Sequence, residues 1–141
     1  MLCMIRGRRP TYHPYKVKAK RSSAGLGLFA EETIPRGVKI IEYVGRVMID
    51  EPDEKKSLRY IFNIDRHMDI DGVPTWNTAR YANHSCRPNA EPYIYAKRIW
   101  IRSLRTILRG EEITYDYGKE YFKEHFNKGR CRCQKCTKKK T

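Results

Sequence analysis

Hydrophobic and polar side chains alternate along most of the chain in short runs. The runs rich in Val, Ile and Tyr span residues 15–20, 38–48, 58–64, 90–96 and 98–104. Alternation with a period of two, clearest in "YIFNI" and "IWIRSL", is typical of strands with one buried face. Turn signals such as "IPRG", "DG" and "RPN" separate the runs. The pattern therefore predicts a β-rich domain of short strands.

One segment near the C-terminus has a helical pattern instead. In "GKEYFKEHF", residues 118–126, the aromatic and histidine side chains recur at the spacing of one helical face. The whole chain has 141 residues, of which 40% are hydrophobic. This is enough for one domain with a buried core, so we expect a folded chain with few helices.

The net charge of +14 is concentrated at the two ends. Residues 1–21 carry +7, residues 119–141 carry +7, and the residues between them are neutral overall. Such ends predict contact with phosphate or another polyanion, and solvated tails are the alternative. Apolar runs of membrane-spanning length and a signal peptide are both absent, so we expect a soluble, intracellular protein.

Three of the five cysteines lie in "CRCQKC", residues 131–136. An odd number of cysteines, clustered at one end, favours metal binding over a secreted disulfide framework. Structural zinc usually takes four ligands. By itself the cluster is therefore compatible with an open metal site, a redox cluster, or a closed site whose fourth ligand lies elsewhere.

Three further stretches carry candidate chemistry. "SSAGLGLFA" (22–30) is a glycine turn after a strand, but it lacks the features of a dinucleotide fingerprint or a P-loop. "RYANHSCRPN" (80–89) is compatible with a hydrogen-bonded polar loop or with a Cys–His nucleophilic pair. "GEEITYDYG" (110–118) places Tyr115 and Tyr117 on one side of an extended segment, where they could be ordinary half-buried strand residues.

Taken together and in this order, these stretches resemble the SET-domain protein lysine methyltransferases. The resemblance runs from Tyr15 to Cys136 and includes "EYVG" (42–45) and the cysteine-rich tail. It implies a mostly β fold of short curved sheets with a pseudoknot, a C-terminal helix and a post-SET zinc site. It divides the chain into a basic extension (1–14), a SET core (15–118) and a post-SET helix, cysteine segment and basic tail (119–141). A cysteine-rich pre-SET module has no counterpart in it.

The resemblance implies methyl transfer from S-adenosyl-L-methionine to a lysine ε-amine. It places the cofactor contacts at Ala24, Gly25, Leu26, Tyr60, Asn83 and His84. Tyr117 matches the catalytic tyrosine, while Tyr43 and Phe62 match aromatic walls of the lysine channel. Tyr115 falls at the family's Phe/Tyr switch position, where tyrosine is associated with mono- and dimethylated products. We therefore count Tyr117, Tyr115 and Tyr43 as catalytic candidates.

The resemblance also supplies a fourth ligand for the cysteine cluster. It implies one structural zinc ion held by Cys86, Cys131, Cys133 and Cys136. The tail spacing here is Cys-x-Cys-x2-Cys, whereas Cys-x-Cys-x4-Cys is common in the family. Cys3 has no partner in this scheme and is expected to be a free thiol.

The implied substrate is a histone tail or a histone-like basic protein. A non-histone target such as a ribosomal protein is one alternative, and a catalytically idle module that binds chromatin or nucleic acid is another. The basic ends suggest a contact with nucleosomal DNA. The sequence leaves open whether the protein is a monomer or a homodimer. It also leaves open whether it acts in a nucleus or in a bacterial cytoplasm.

Overall fold

The structure, a computed structural model, describes residues 12–52 and 60–118. Ten strands and one short 3-10 helix (Thr78–Tyr81) are found within these ranges. The strands are β1 (Val17–Ser22), β2 (Gly25–Ala30), β3 (Lys39–Tyr43), β4 (Arg46–Ile49), β5 (Ile61–Asn63), β6 (Met68–Asp71), β7 (Asn83–His84), β8 (Ala90–Tyr95), β9 (Arg98–Ser103) and β10 (Glu112–Tyr115).

The strands form three small sheets rather than one large one. Their orders are β1-β2-β10-β7, β3-β9-β8 and β4-β6-β5. Neighbouring strands are antiparallel, except that β7 and β10 run parallel. The mostly β fold of small sheets that the sequence predicted is therefore confirmed.

The core lies where the inward faces of these sheets meet. In β9, Ile99 and Ile101 are fully buried, as the alternation in "IWIRSL" predicts. They pack with residues from all three sheets, among them Leu28, Ile41, Ile70 and Ile113. Each such side chain contributes about 1.5 to 3 kcal/mol through burial, so this cluster fixes how the sheets meet.

The predicted extended run 38–48 is divided into two strands that belong to different sheets. The break falls at Val44 and Gly45. The Val44 N–H donates to the Oδ1 atom of Asn77 (3.1 Å), a fully buried residue whose Nδ2 donates to the carbonyl of Gly72 (3.0 Å). After β3 the backbone therefore makes a hydrogen bond to the buried Asn77 side chain in place of a further bond to β9. No alternation pattern encodes that contact.

Gly45 gives a testable stability prediction. A Cβ atom there would overlap the backbone carbonyl of Asp71 on the neighbouring strand, and a backbone group cannot move aside. Gly45→Ala should therefore lower the free energy of unfolding by about 2 to 3 kcal/mol. Gly110→Ala is the matched control, because a Cβ there meets open space and only the positive φ of 92° is unfavourable. Chemical denaturation of both variants should show the smaller loss for Gly110→Ala; equal losses would contradict the steric explanation.

Several predictions fall on parts of the chain that the structure does not describe. These are the helix over 118–126 beyond Gly118, the basic extension up to residue 11 and the tail cysteines. Within residues 12–52 and 60–118, no helix has the length and apolar character needed to cross a membrane.

Candidate active site

The two polar blocks of the sequence meet along the β7–β10 ladder. Asn83 lies beside Thr114, and His84 lies beside Tyr115, in parallel pairing. Parallel strands need a crossover between them, and here residues 85–111 make that connection. Two blocks about 30 residues apart in the sequence are thus brought into contact.

An aromatic pocket of about 190 Å³ opens next to this ladder. Its lining residues are Tyr43, Tyr60, Ile61, Phe62, Asn63, Arg80, Tyr115 and Tyr117. The rings form a continuous wall: Tyr43 and Phe62 are 4.7 Å apart between centroids, and Phe62 and Tyr115 are 6.1 Å apart. Tyr117 completes the wall at 4.9 Å from Tyr115. The aromatic residues that the sequence assigned to the lysine channel therefore share one pocket.

Tyr117 is held from three directions. Its hydroxyl donates to the carbonyl of Ala82 (2.6 Å), and its backbone N–H donates to Nδ1 of His84 (3.1 Å). Its ring lies edge-on to the imidazole at 5.4 Å. Since both the ring and the hydroxyl have fixed partners, the phenol oxygen has a defined position beside the pocket that Tyr117 lines.

His84 lies between Tyr117 and Cys86. Burial lowers the pKa of the imidazole, while the nearby Asp116 carboxylate opposes the shift only partly. Asp116 lies 3.6 Å from Nδ1, farther than the Tyr117 N–H that this nitrogen accepts. With Nδ1 as acceptor, the proton resides on Nε2, which faces the sulfur of Cys86 at 3.4 Å. His84 thus links the aromatic pocket to Cys86.

Asn83 joins the glycine hairpin to β10. Its Nδ2 lies within hydrogen-bonding distance of the Leu26 carbonyl (2.9 Å) and of Oε2 of Glu112 (2.9 Å). A Cβ at Gly27 would overlap that Glu112 carboxylate oxygen. The second glycine of "GLG" therefore makes room for a carboxylate, and Gly25 permits the turn through its φ of 100°.

The predicted cofactor residues are divided between two cavities. Ala24, Asn83 and His84 line a second, polar cavity of about 360 Å³. Tyr60 lines the aromatic pocket instead. Gly25 and Leu26 are exposed at the hairpin, and Leu26 is connected to this group through its bond with Asn83.

Arg80 is a site residue that the sequence did not single out. Its guanidinium lies 4.5 Å from the ring centroid of Tyr60 and 5.3 Å from that of Tyr81. Its buried Nε has no hydrogen-bond partner among the residues that the structure describes. An unsatisfied charged donor at a pocket wall is suited to an anionic group of a ligand. The position of Arg80 at the start of "RYANHSCRPN" was the only feature of the sequence that could have indicated a role in the site.

Cys86 is exposed beside His84. The other three predicted zinc ligands lie outside residues 12–52 and 60–118. Within those ranges no group of three or more His, Cys, Asp and Glu side chains is arranged to hold a metal ion.

Comparison with known proteins identifies the family. A model described as the SET domain matches residues 25–118. The chain belongs to the SET-domain family. Its SET domain begins in the β1–β2 hairpin and ends directly after Tyr117, so the match contains the whole aromatic pocket.

Curated relatives of this SET domain carry histone methyltransferase names. The chain is 42% identical over 106 residues to histone-lysine N-methyltransferase set-2 of Caenorhabditis elegans, covering 66% of this chain and 7% of that protein. It is 43% identical over 115 residues to an H3 lysine-4 specific histone-lysine N-methyltransferase of Chaetomium globosum, covering 72% of this chain and 11% of that protein. It is 38% identical over 119 residues to histone-lysine N-methyltransferase ASHH3 of Arabidopsis thaliana, covering 74% of this chain and 33% of that protein. The chain thus spans a third or less of the length of each.

Proposed function

We propose that this chain is an S-adenosyl-L-methionine-dependent protein-lysine N-methyltransferase acting on histone tails or a histone-like basic protein. The observation that carries the proposal is the aromatic pocket together with the fixed hydroxyl of Tyr117, one of its lining residues. The relatives named as histone-lysine N-methyltransferases support the histone substrate.

The aromatic pocket suits a lysine that must lose its proton before it can react. Free lysine has a pKa of about 10.4, and removal from water disfavours its charged form. The rings of Tyr43, Phe62 and Tyr115 exclude water along one wall. Their π faces also accept a cationic methylated amine. The pocket thus favours the neutral amine and still accommodates the methylated product.

Tyr117 would orient the amine at the end of the pocket. Because its O–H donates to Ala82, its oxygen faces an incoming amine only as an acceptor. An acceptor for an amine N–H directs the nitrogen lone pair away from the tyrosine, toward the methyl donor. Alignment of this kind supplies several kcal/mol of the barrier reduction, of the order known for oriented reactants.

The described residues fit the methyl donor. S-adenosyl-L-methionine, when bound, supplies an electrophilic methyl group. Arg80 would offer its guanidinium, whose Nε is buried without a partner among the described residues, to the carboxylate of the methyl donor. Ala24 lines one cavity with Asn83 and His84, and Leu26 is bonded to Asn83. We propose these residues, with Gly25 and Tyr60, as the cofactor site.

Tyr115 is proposed to limit the product to mono- and dimethyllysine. It is 7% exposed and packs between Phe62 and Tyr117, so its hydroxyl occupies part of the pocket wall. Tyr115→Phe should raise the trimethylated fraction severalfold, because a growing methylammonium gains the volume of one hydroxyl. Mass spectrometry of a histone peptide after exhaustive reaction measures this fraction. An unchanged product distribution would contradict the assignment.

We further propose a post-SET zinc site of Cys86, Cys131, Cys133 and Cys136. The Nε2 atom of His84 lies 3.4 Å from the Cys86 sulfur, where it could support a metal-bound thiolate. For the whole protein we propose a nuclear, chromatin-associated location if the source is eukaryotic. In that case the basic ends would contact nucleosomal DNA.

Calorimetry with S-adenosyl-L-methionine, followed by transfer of a radioactive methyl group to purified proteins, tests the proposed function. We expect saturable binding and label on core histones. If only other basic proteins, such as ribosomal proteins, were labelled, the substrate would be a non-histone protein. Binding without transfer to any basic protein would overturn the enzymatic proposal in favour of an idle SET module.

A further inference from the structure

The backbone carbonyl of Tyr60 accepts two hydrogen bonds from distant parts of the chain. The hydroxyl of Tyr43, at the end of β3, donates to it at 2.8 Å. The N–H of Gly72, directly after β6, donates to it at 2.9 Å. We name this arrangement of Tyr43, Gly72 and the Tyr60 carbonyl the Tyr60 clamp. It attaches the residue before β5 to two other strands.

Tyr60 needs such attachment because its backbone is strained. Its φ is 75°, in the left-handed region that bulky residues avoid. Four non-glycine residues in the described ranges have positive φ, and Tyr60 is the one among them that lines the aromatic pocket. Strained backbone persists only where surrounding contacts fix it, and it is concentrated at functional sites.

Gly72 is the residue that makes the clamp sterically possible. A Cβ at this position would overlap the hydroxyl and ring of Tyr43. Tyr43 is 1% exposed, and its hydroxyl and ring edge lie against Gly72. The Tyr43 hydroxyl is therefore directed at main chain, while its ring contributes to the aromatic wall.

The Tyr60 clamp also affects the position of the Arg80 guanidinium, through the Tyr60 ring. The Tyr60 ring lies 4.5 Å from the Arg80 guanidinium. The ring's direction depends on the backbone conformation that the two donors maintain. Loss of one donor would let Tyr60 relax to negative φ, move its ring and remove the surface on which Arg80 rests.

We propose that Tyr43 and Gly72 are positioning residues: through the Tyr60 carbonyl they hold the Tyr60 ring and Arg80 in the geometry that binds the methyl donor. This inference rests on the proposed function and assigns the Tyr43 hydroxyl a role through Tyr60, in place of direct contact with the reacting amine.

Tyr43→Phe removes the hydroxyl and keeps the ring. We expect the calorimetric Kd for S-adenosyl-L-methionine to rise about three- to tenfold, as loss of one hydrogen bond predicts. In a Tyr60→Ala background the same change should have no further effect on Kd, because the positioned ring is already gone. The matched control is Tyr93→Phe on the outer face of β8, which should leave Kd unchanged.

Exchange of the Gly72 amide hydrogen, followed by NMR, tests the clamp independently of the cofactor. It should be faster in Tyr43→Phe and unchanged in Tyr93→Phe. An unchanged Kd in Tyr43→Phe, or losses that multiply in the double variant, would overturn the inference. If the wild-type chain bound no S-adenosyl-L-methionine, the proposed function would fail. Gly72 exchange alone would then decide whether the clamp exists.

Discussion

Tyr117→Phe should reduce methyl transfer by about a hundredfold or more and leave S-adenosyl-L-methionine binding nearly unchanged. The phenol oxygen is fixed by its bond to Ala82, and its ring by His84 and Tyr115. Phenylalanine keeps these ring contacts but removes the hydroxyl, and with it both the hydrogen bond to Ala82 and the acceptor that orients the amine. A misplaced nucleophile alone can cost about a hundredfold. Single-turnover kinetics on a histone peptide, with calorimetry of the methyl donor, separates the two effects.

The matched control is Tyr93→Phe, which also loses one tyrosine hydroxyl but lies on β8, outside the aromatic pocket. Its transfer rate should equal that of the wild type. A Tyr117→Phe variant that retained most of the wild-type rate would show that the hydroxyl does not orient the amine.

Cys86→Ala should remove zinc from the purified protein. A four-thiolate site holds zinc through deprotonated sulfur, and three thiolates leave one coordination position unfilled. Because metal binding of this kind is coupled to folding of the surrounding chain, the variant should also have a lower melting temperature. Metal analysis should show about one zinc per wild-type chain and far less in the variant.

Cys3→Ala provides the control, since Cys3 lies far along the sequence from the proposed ligands and should leave the zinc content at the wild-type level. If Cys86→Ala retained stoichiometric zinc, Cys86 would not be the fourth ligand of the tail cluster.

The strands with clear apolar alternation could be predicted from the sequence, whereas β2, β6 and β7 could not. The runs 90–96 and 98–104 correspond closely to β8 and β9. In β9 the fully buried Ile99 and Ile101 produce the alternation that the sequence shows. In β6 the buried face includes Asp69 and Asp71, which are satisfied by Asn63 and Arg46. A buried carboxylate interrupts the hydrophobic pattern, and its partner lies elsewhere in the sequence.

The glycine hairpin was predicted as a turn, yet Gly25 begins a six-residue strand, β2. Glycine weakens a strand when taken alone. Here a Cβ at Gly27 would displace the Glu112 carboxylate that reaches across it to Asn83. The reason for the residue is therefore a tertiary contact with β10, which local propensity does not contain.

The membership of the aromatic pocket could be predicted only through the family resemblance. Spacing alone placed Tyr115 and Tyr117 on one side, and the structure places their rings 4.9 Å apart. The contribution of Arg80 and the partner of the Tyr43 hydroxyl depend on how β3, β5 and the 3-10 helix meet. These contacts join residues 17 or more positions apart, which no short motif records.

The central claim is methyl transfer to a lysine side chain within the aromatic pocket. Tandem mass spectrometry of histone peptides, incubated with S-adenosyl-L-methionine and either wild-type chain or Tyr117→Phe, tests it most directly. We expect methyl groups on a lysine ε-amine after incubation with the wild-type chain and almost none after incubation with Tyr117→Phe. Unmodified peptides with a wild-type chain that binds S-adenosyl-L-methionine, or equal methylation by both proteins, would contradict it.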